Sequence, residues 1–238
     1  MSLLESLLSL NELGDGIVMA DVSIPSLITN LLPGVASAKR GVPGVDLTRF
    51  SGLFAFFRED EIQRACEFKV LKKQAEWLSG RLAVKQAAAS FLGCEAKGVR
   101  ITTHEEGAPY LADYPDHPIS ITHSGDHAVA LFSAVKGRQV AVDMEWVEPG
   151  RMPHVARVAF TQREIDEMKG HPDEEWYRRW TLKEAFLKYI GKGFHENLKR
   201  VEILNCGICH HGEVVEDIVS QSPSFHPGYC ISMIWTRG

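Results

Sequence analysis

The sequence lacks the short motifs of the common nucleotide-binding enzymes. It contains neither a Gly-x-x-x-x-Gly-Lys loop nor a Gly-x-Gly-x-x-Gly turn, which disfavours a nucleotide hydrolase and a dinucleotide enzyme. Cysteines are few, five in 238 residues, and their odd number and uneven spacing argue against an oxidised disulfide framework. No apolar run approaches ~18 residues, and no positive region precedes the N-terminal leucines, so neither a membrane span nor a signal peptide is predicted. We therefore expect a cytoplasmic protein.

An excess of positive charge is also missing. The formal net charge is −5 and the sequence pI is about 6.1, which argues against a protein that binds nucleic acid over its whole surface. Hydrophobic residues make up 45% of the chain and charged residues 24%, as in ordinary soluble domains. We expect a monomer with neither a nucleic-acid nor a membrane partner, and its function has to be sought in motifs.

Hydrophobic periodicity predicts helices and antiparallel strands in separate stretches of the chain. Residues 59–92 have a helical pattern, which Gly80 is expected to break in two. Residues 99–146 alternate as strands between Gly, Pro and Asp turns, and a long helix is predicted over residues 173–190, before further strands. This order predicts an α+β fold.

Two carboxylates stand two residues apart in a predicted strand. Asp143 and Glu145 lie in Val140-Ala-Val-Asp-Met-Glu-Trp146, so both side chains leave the same face, with backbones roughly 6.5 Å apart. Like charges side by side repel, and a hard cation bound by oxygen ligands would relieve the repulsion. A strand with a solvated acidic face is the alternative, and the motif alone leaves both interpretations open.

A carboxylate and an ammonium group lie one turn apart in the predicted helix. Glu184 and Lys188 share one helical stripe, while other positions of the helix offer apolar side chains to the core. Taken alone, the pair is more typical of a surface ion pair than of a site.

A polar turn follows the predicted strand at residues 119–124. Here His123, Ser124 and backbone N–H groups would stand at a sheet edge, an arrangement that suits an anion such as phosphate. A hydrogen-bonded histidine at a polar strand end is the simpler alternative.

Four motifs in a fixed order carry a family resemblance. They are Ser-Ile-Thr-His-Ser-Gly at 120–125, Val-Asp-Met-Glu at 142–145, Phe-Thr-x-x-Glu at 160–164 and Trp-x-x-Lys-Glu-Ala-x-x-Lys at 180–188. The ordered set resembles the 4′-phosphopantetheinyl transferases of the surfactin-synthetase type, in the holo-[acyl-carrier-protein] synthase superfamily. The resemblance implies transfer of phosphopantetheine from coenzyme A to a serine of an acyl, peptidyl or aryl carrier protein.

The resemblance also implies an architecture. Two similar α+β halves would be related by a pseudo-two-fold, each an antiparallel sheet packed with helices, with the active site between them. With a division near Pro149, residues 1–148 would form the coenzyme-binding half. Residues 149–238 would carry the catalytic helix and the carrier docking surface.

Individual site residues follow from the same resemblance. Asp143, Glu145 and Glu184 would hold Mg²⁺, or Mn²⁺ in its place. Glu184 would also be the base for the attacking serine, and Lys188 would lie near the transferring phosphate. The coenzyme would be contacted by His123, Thr122, Arg81, Lys85, Gly107, Pro109, Lys183 and Lys192. Because carrier proteins are acidic around their serine, we expect a positive docking surface formed by Lys183, Lys188, Lys192, Lys199 and Arg200.

Several features stay outside this assignment. Gly107-Ala-Pro109 replaces a Gly-Lys-Pro turn common in the family, and the N-terminal coenzyme ligands could be Lys39, Arg40 or Arg49. Another magnesium-dependent phosphoryl or nucleotidyl transferase, or a non-catalytic coenzyme A or carrier-protein binding module, is an alternative.

A Cys-x-x-Cys-His pattern near the C-terminus is the sharpest competing signal. It begins at Cys206 and is followed by His211. Covalent haem attachment is disfavoured without an export signal, so packing and surface roles are expected, with adventitious zinc binding as a minor alternative.

Overall fold

The computed structural model describes residues 3–35, 41–193 and 196–238, apart from the side chain of Pro153. Lys39 and Arg40 lie outside the described residues. The chain divides into two compact units: Met1–His104 with Pro109–Gly137 form unit 1, and Glu105–Ala108 with Arg138–Gly238 form unit 2. The strand at 140–146 thus lies in unit 2, and the division near Pro149 into halves 1–148 and 149–238 stays a prediction.

Unit 1 combines helices with an antiparallel sheet. Its elements are α1 (Leu3–Leu7), β1 (Leu8–Glu12), β2 (Ile17–Ser23), α2 (Ile24–Leu31), α3 (Glu59–Cys66), α4 (Leu71–Leu92), β3 (Ile101–Thr103), β4 (Pro109–Leu111), β5 (Ile119–Ser124) and β6 (His127–Ser133). The sheet has the strand order β1-β2-β6-β5, and α4 packs against β2, β6 and β5. β3 and β4 form a separate hairpin.

The long helix α4 is continuous through Gly80, so the prediction of a break at this residue is wrong. The helical stretch is interrupted earlier instead, between Cys66 and Leu71. Gly80 is buried against β5, and a Cβ at this position would lie 2.8 Å from Cγ2 of Ile121. The glycine therefore permits a close approach of helix and sheet, and α4 ends at Gly93, which has a left-handed φ of 65°.

Unit 2 repeats the combination of helices and antiparallel strands. Its elements are β7 (Val140–Trp146), α5 (Met152–Ala159), α6 (Gln162–Met168), α7 (Asp173–Tyr189), β8 (Val201–Leu204), β9 (Gly207–His210), β10 (Glu213–Val214), β11 (Ile218–Gln221) and β12 (Tyr229–Thr236). The strands form two antiparallel sheets, β11-β12-β7 and β10-β9-β8. α7 packs against β12 and β7, which sets its side chains over those of the sheet.

The composition of both units confirms the predicted α+β class. The pseudo-two-fold relation and the active site between halves stay predictions. Among the described helices, none is both long and apolar enough to cross a membrane.

Candidate functional site

Strand β7 carries two carboxylates in a largely buried setting. Residues 140–144 are buried on both faces of the strand, and Asp143 is only 5% exposed. This excludes the solvated acidic face that the sequence left open, because a buried carboxylate has to be balanced by a cation or hydrogen bonds. Glu145, two residues on, is partly exposed. β7 therefore presents one buried and one accessible carboxylate.

Helix α7 is held over this strand by polar contacts. The hydroxyl of Thr181 lies 2.8 Å from that of Ser232 on β12, and Ser232 is the register partner of Asp143. Lys188 Nζ lies 2.8 Å from Oδ1 of Asp143 and donates to the carbonyl of Val142 at 2.9 Å. The ammonium group of Lys188 is thus bound to the carboxylate of Asp143 on β7. A simple surface ion pair would have joined it to Glu184, one helical turn away.

Glu184 completes the group on α7. Burial, followed by repulsion from Asp143 and Glu145, raises the pKa of Glu184 to about 8, although Lys188 acts in the opposite direction. Its Oε1 atom is buried and finds no hydrogen-bond donor among the described residues. The structure thus brings Asp143, Glu145, Glu184 and Lys188 together in unit 2, with three carboxylates against one ammonium group.

This group fits a divalent cation. All the candidate ligands are carboxylate oxygens, the donors that Mg²⁺ and Mn²⁺ prefer to imidazole or thiolate. The buried, undonated oxygen of Glu184 is the atom that a cation would satisfy. Binding of a cation would also favour the ionised form of Glu184 and lower its pKa.

Two predicted coenzyme ligands lie together in unit 1. Thr122 and His123 stand on β5, and Nδ1 of His123 is 3.8 Å from Oε2 of Glu76 on α4. Thr122 is buried and His123 is exposed. At 3.8 Å this contact is longer than a hydrogen bond, so the hydrogen-bonded histidine and the anion-binding role both stay predictions.

Arg81 lies one turn further along α4. Its guanidinium group stacks on Trp77 at 4.9 Å from the ring centroid, and burial lowers the pKa of Arg81. Its Nη1 atom is buried without a hydrogen-bond acceptor in the described part of the chain. A buried guanidinium nitrogen with no acceptor is consistent with the predicted anionic ligand.

Lys85 is a structural residue, which contradicts its predicted contact with the coenzyme. The side chain is 0% exposed and pairs with Oε2 of Glu61 at 2.9 Å. Its ammonium group also donates to the carbonyls of Val99 and Lys97 at 2.8 and 3.0 Å. A buried lysine needs such partners, and here they all come from the protein.

Lys183 departs from prediction in the same way. It is 0% exposed, pairs with Glu164 at 2.8 Å and donates to the carbonyl of Ala159 at 2.8 Å. Glu164 also closes a capping box by accepting from the N–H of Thr161 at 2.8 Å. Lys183 therefore contributes nothing to a positive docking surface. One signal was available, because Lys183 shares a helical stripe with the buried Phe186 and Leu187.

The remaining predicted contacts lie in turns and at element ends. Gly107 occupies an exposed turn with φ of 89°, and Pro109 begins β4. Lys192 follows α7 and lies 3.3 Å from Oε2 of Glu196. The Cys-x-x-Cys-His pattern forms the turn and second strand of the β8–β9 hairpin, where Cys206 is exposed and Cys209 is buried. Burial raises the pKa of Cys209, which marks it as a core thiol.

Comparisons with known proteins point to one family. Residues 139–226 match the model of the 4′-phosphopantetheinyl transferase superfamily. A 4′-phosphopantetheinyl transferase of Bacillus subtilis is 32% identical over 120 residues, which is 49% of this chain and 52% of the relative. The human L-aminoadipate-semialdehyde dehydrogenase-phosphopantetheinyl transferase is 31% identical over 159 residues, 60% of this chain and 51% of the relative. The chain thus spans about half the length of these curated relatives.

One solved structure is a more distant match. The holo-[acyl-carrier-protein] synthase of Thermotoga maritima aligns with a TM-score of 0.34 and 21% identity, over 42% of this chain and 62% of that one. The assignment does not depend on this match. Asp143, Glu145, Glu184 and Lys188 all lie within the stretch that the family model covers. The resemblance predicted from the motifs is therefore confirmed, and through residues 139–226 the chain matches the 4′-phosphopantetheinyl transferase superfamily.

Proposed function

We propose that the chain transfers the 4′-phosphopantetheine group of coenzyme A to a serine of an apo acyl, peptidyl or aryl carrier protein. The products would be the holo carrier protein and 3′,5′-ADP. One observation supports this most strongly: three carboxylates and one lysine converge on β7 and α7, within the stretch that matches the transferase family.

Asp143, Glu145 and Glu184 would hold Mg²⁺, or Mn²⁺. When bound, the cation supplies positive charge to the oxygens of the diphosphate, on which negative charge accumulates during transfer. Lys188 fixes Asp143 from the helix side through its contact of 2.8 Å. In its predicted role, Lys188 also lies near the transferring phosphate.

Glu184 is the proposed base. The serine hydroxyl forms a bond to the phosphorus that carries the pantetheine arm, the bond from this phosphorus to the bridging oxygen breaks, and that oxygen leaves with 3′,5′-ADP. Glu184 accepts the proton of the serine. A pKa of about 8 without a cation lies near neutral pH, where a carboxylate becomes an effective base, and cation binding sets the working value.

Carrier proteins are acidic around the modified serine, so an enzyme with a net charge of −5 needs a local positive surface. With Lys183 buried, we assign docking to the exposed side chains of Lys192, Lys199 and Arg200. The cytoplasmic location belongs to the same proposal, because enzyme, coenzyme A and newly made carrier have to meet in one compartment.

Coenzyme A labelled at two positions tests the reaction. A label in the pantetheine arm should pass to the apo carrier protein, whereas a label in the adenine ring should remain in the small-molecule fraction. Transfer of the adenine label instead would mean nucleotidyl transfer and contradict the proposal. Failure of both labels to reach any carrier in an acyl, peptidyl and aryl panel would contradict it as well.

A further inference from the structure

A second group of metal-ligating side chains lies in unit 2 and shares no residue with the proposed transferase site. Glu196 follows α7 in the chain, and His210 and His211 lie at the end of β9; we call the three the Glu-His-His cluster. Its ligand atoms all lie within 4.8 Å of one another. Nε2 of His210 is 3.6 Å and Nε2 of His211 is 3.9 Å from the same atom, Oε2 of Glu196. The three side chains therefore converge on one point.

The two histidines reach that point through an unusual backbone turn. Successive side chains of a strand point to opposite faces, so adjacent histidines would ordinarily diverge. His211 has a φ of 53°, in the left-handed region that residues other than glycine adopt rarely. The chain turns there, and the two imidazole rings lie with centroids 4.3 Å apart. The turn thus directs both rings to Glu196.

His210 brings a buried ring nitrogen to the cluster. Its ring packs edge-on against Phe186 with centroids 5.4 Å apart. Its Nε2 atom is buried and makes no hydrogen bond within the described ranges of the chain. A buried ring nitrogen of this kind calls for a partner.

Among the described contacts, Lys192 is the only lysine or arginine side chain that brings a positive charge to the Glu-His-His cluster. Its ammonium group lies 3.3 Å from Oε2 of Glu196, at the end of a side chain that is 57% exposed. A metal ion would compete with Lys192 for the same carboxylate oxygen. The lysine can move into solvent without leaving a buried charge.

We propose that Glu196, His210 and His211 bind one Zn²⁺ ion, or a similar borderline transition metal ion, with a fourth position open to water. Two histidines and a glutamate are a known zinc ligand set. Bonds of about 2.0–2.2 Å in a tetrahedral site place neighbouring ligand atoms roughly 3.3–3.6 Å apart. The observed 3.6 and 3.9 Å differ from that spacing by a few tenths of an ångström.

The ligand chemistry separates this site from the carboxylate group on β7 and α7. Imidazole ligands favour zinc, copper or nickel over magnesium, which prefers oxygen. A bound ion would join the segment after α7 to the β8–β9 hairpin. Its binding would therefore stabilise unit 2, which can be measured without an assay of transferase activity.

Cobalt(II) is the probe we choose, titrated into chelator-treated protein in excess Mg²⁺. Wild-type protein should bind one Co²⁺ with the visible d–d bands of a tetrahedral nitrogen and oxygen site, and Zn²⁺ should displace it. His211→Asn removes the imidazole but keeps a residue that tolerates the left-handed backbone, and it should lower affinity by at least about tenfold. His210→Ala should do the same, and the exposed His154→Ala should bind as wild type.

A Lys192 variant tests the proposal in the opposite direction, through a gain in affinity. Lys192→Ala removes the competing cation and should tighten Co²⁺ binding. A thiolate charge-transfer band in the near ultraviolet would place the ion on Cys206 and Cys209 and overturn the proposal. So would wild-type affinity in His211→Asn, or the absence of d–d bands in the wild-type protein.

Discussion

At the scale of single residues, the protonation of Glu184 links the stability of the protein to pH. Its pKa of about 8 in the folded protein lies above the ordinary 4.5, so the folded state keeps a proton that the unfolded state has released. The contribution of Glu184 to stability is therefore complete below pH 4.5 and is lost as pH rises through about 8.

This linkage predicts a pH-dependent difference between wild type and Glu184→Gln without a divalent cation. The urea midpoint of the wild type should fall relative to that of the variant between pH 4.5 and about 8. Added Mg²⁺ should reduce the difference in urea midpoint near pH 8, because a cation offsets the repulsion among the three carboxylates. Parallel midpoints over the whole range would contradict the assigned environment of Glu184.

The buried pair of Lys183 and Glu164 gives a second prediction at this scale. Lys183→Ala should destabilise the protein by about 3–5 kcal/mol, because it leaves the carboxylate of Glu164 buried without its cation. Urea unfolding measures the loss. Lys169→Ala, which truncates an exposed lysine of the same unit, is the matched control and should change stability by less than about 0.5 kcal/mol. A similar small effect of Lys183→Ala would contradict the pair.

The sequence indicated where the three carboxylates lie better than it indicated the burial of Lys85 and Lys183. Asp143, Glu145 and Glu184 lie within short motifs, and their spacing alone places the first two on one strand face. Lys85 and Lys183 find their partners at Glu61 and Glu164, in other elements, and no local pattern reveals such pairs. A motif records that a lysine is present, whereas its burial depends on what packs over it.

At the scale of elements, the contact of α4 with β5 depends on Gly80. A Cβ at this position would lie 2.8 Å from Cγ2 of Ile121, so one of the two elements has to shift. Gly80→Ala should therefore destabilise the protein, because overpacking costs about 1–3 kcal/mol and outweighs the gain of about 1 kcal/mol in helix propensity.

A double-mutant cycle measures that contact. The cost of Gly80→Ala should shrink in an Ile121→Ala background, where the opposing methyl is absent. Gly98→Ala, which meets no atom within 4 Å, is the control and should be close to neutral. Equal costs of Gly80→Ala in both backgrounds would mean that the contact does not limit the approach of α4.

The same element shows where local patterns reach their limit. The helical periodicity of residues 59–92 predicted a helix correctly, but a glycine inside it was taken as a break. A glycine is needed at position 80 because α4 approaches Ile121 of β5, a residue 41 positions later in the sequence. Helical periodicity carries no information on that contact. The burial of β7 is likewise invisible to local patterns, because β12, which pairs with it, and α7, which packs on it, come later in the chain.

At the scale of the whole molecule, the charge balance constrains the carrier partner. A net charge of −5 repels an acidic carrier at long range, so docking depends on a local positive surface. Lys199→Glu combined with Arg200→Glu should raise the KM for the carrier by roughly 3- to 10-fold with little change in kcat. The difference in KM between this double variant and the wild type should become smaller at high salt, because salt screens the charges.

The matched control for this surface is Lys97→Glu combined with Lys136→Glu, an equal double charge reversal at exposed lysines of unit 1. Its KM for the carrier should stay near that of the wild type. If both reversals raise the KM equally, the effect comes from overall charge and the assigned docking surface is wrong.

The α+β class could be predicted from the order of the elements, since helical and alternating stretches are separated along the chain. The pairing of β7 with β12, a strand from the far end of the chain, could not be predicted, because nothing near either strand encodes it. The division near Pro149 stays a prediction.

The intact mass of an apo carrier protein, followed over time with coenzyme A and Mg²⁺, tests the central claim most directly. Wild-type protein should add about 340 Da, the mass of the phosphopantetheine arm. Glu184→Gln should lower kcat by ~10² or more, as expected for loss of a base or metal ligand, and removal of divalent cations should stop the reaction. Glu174→Gln, an exposed change on the same helix, should match the wild type. An unchanged mass in every carrier tried, or full turnover by Glu184→Gln, would contradict the account.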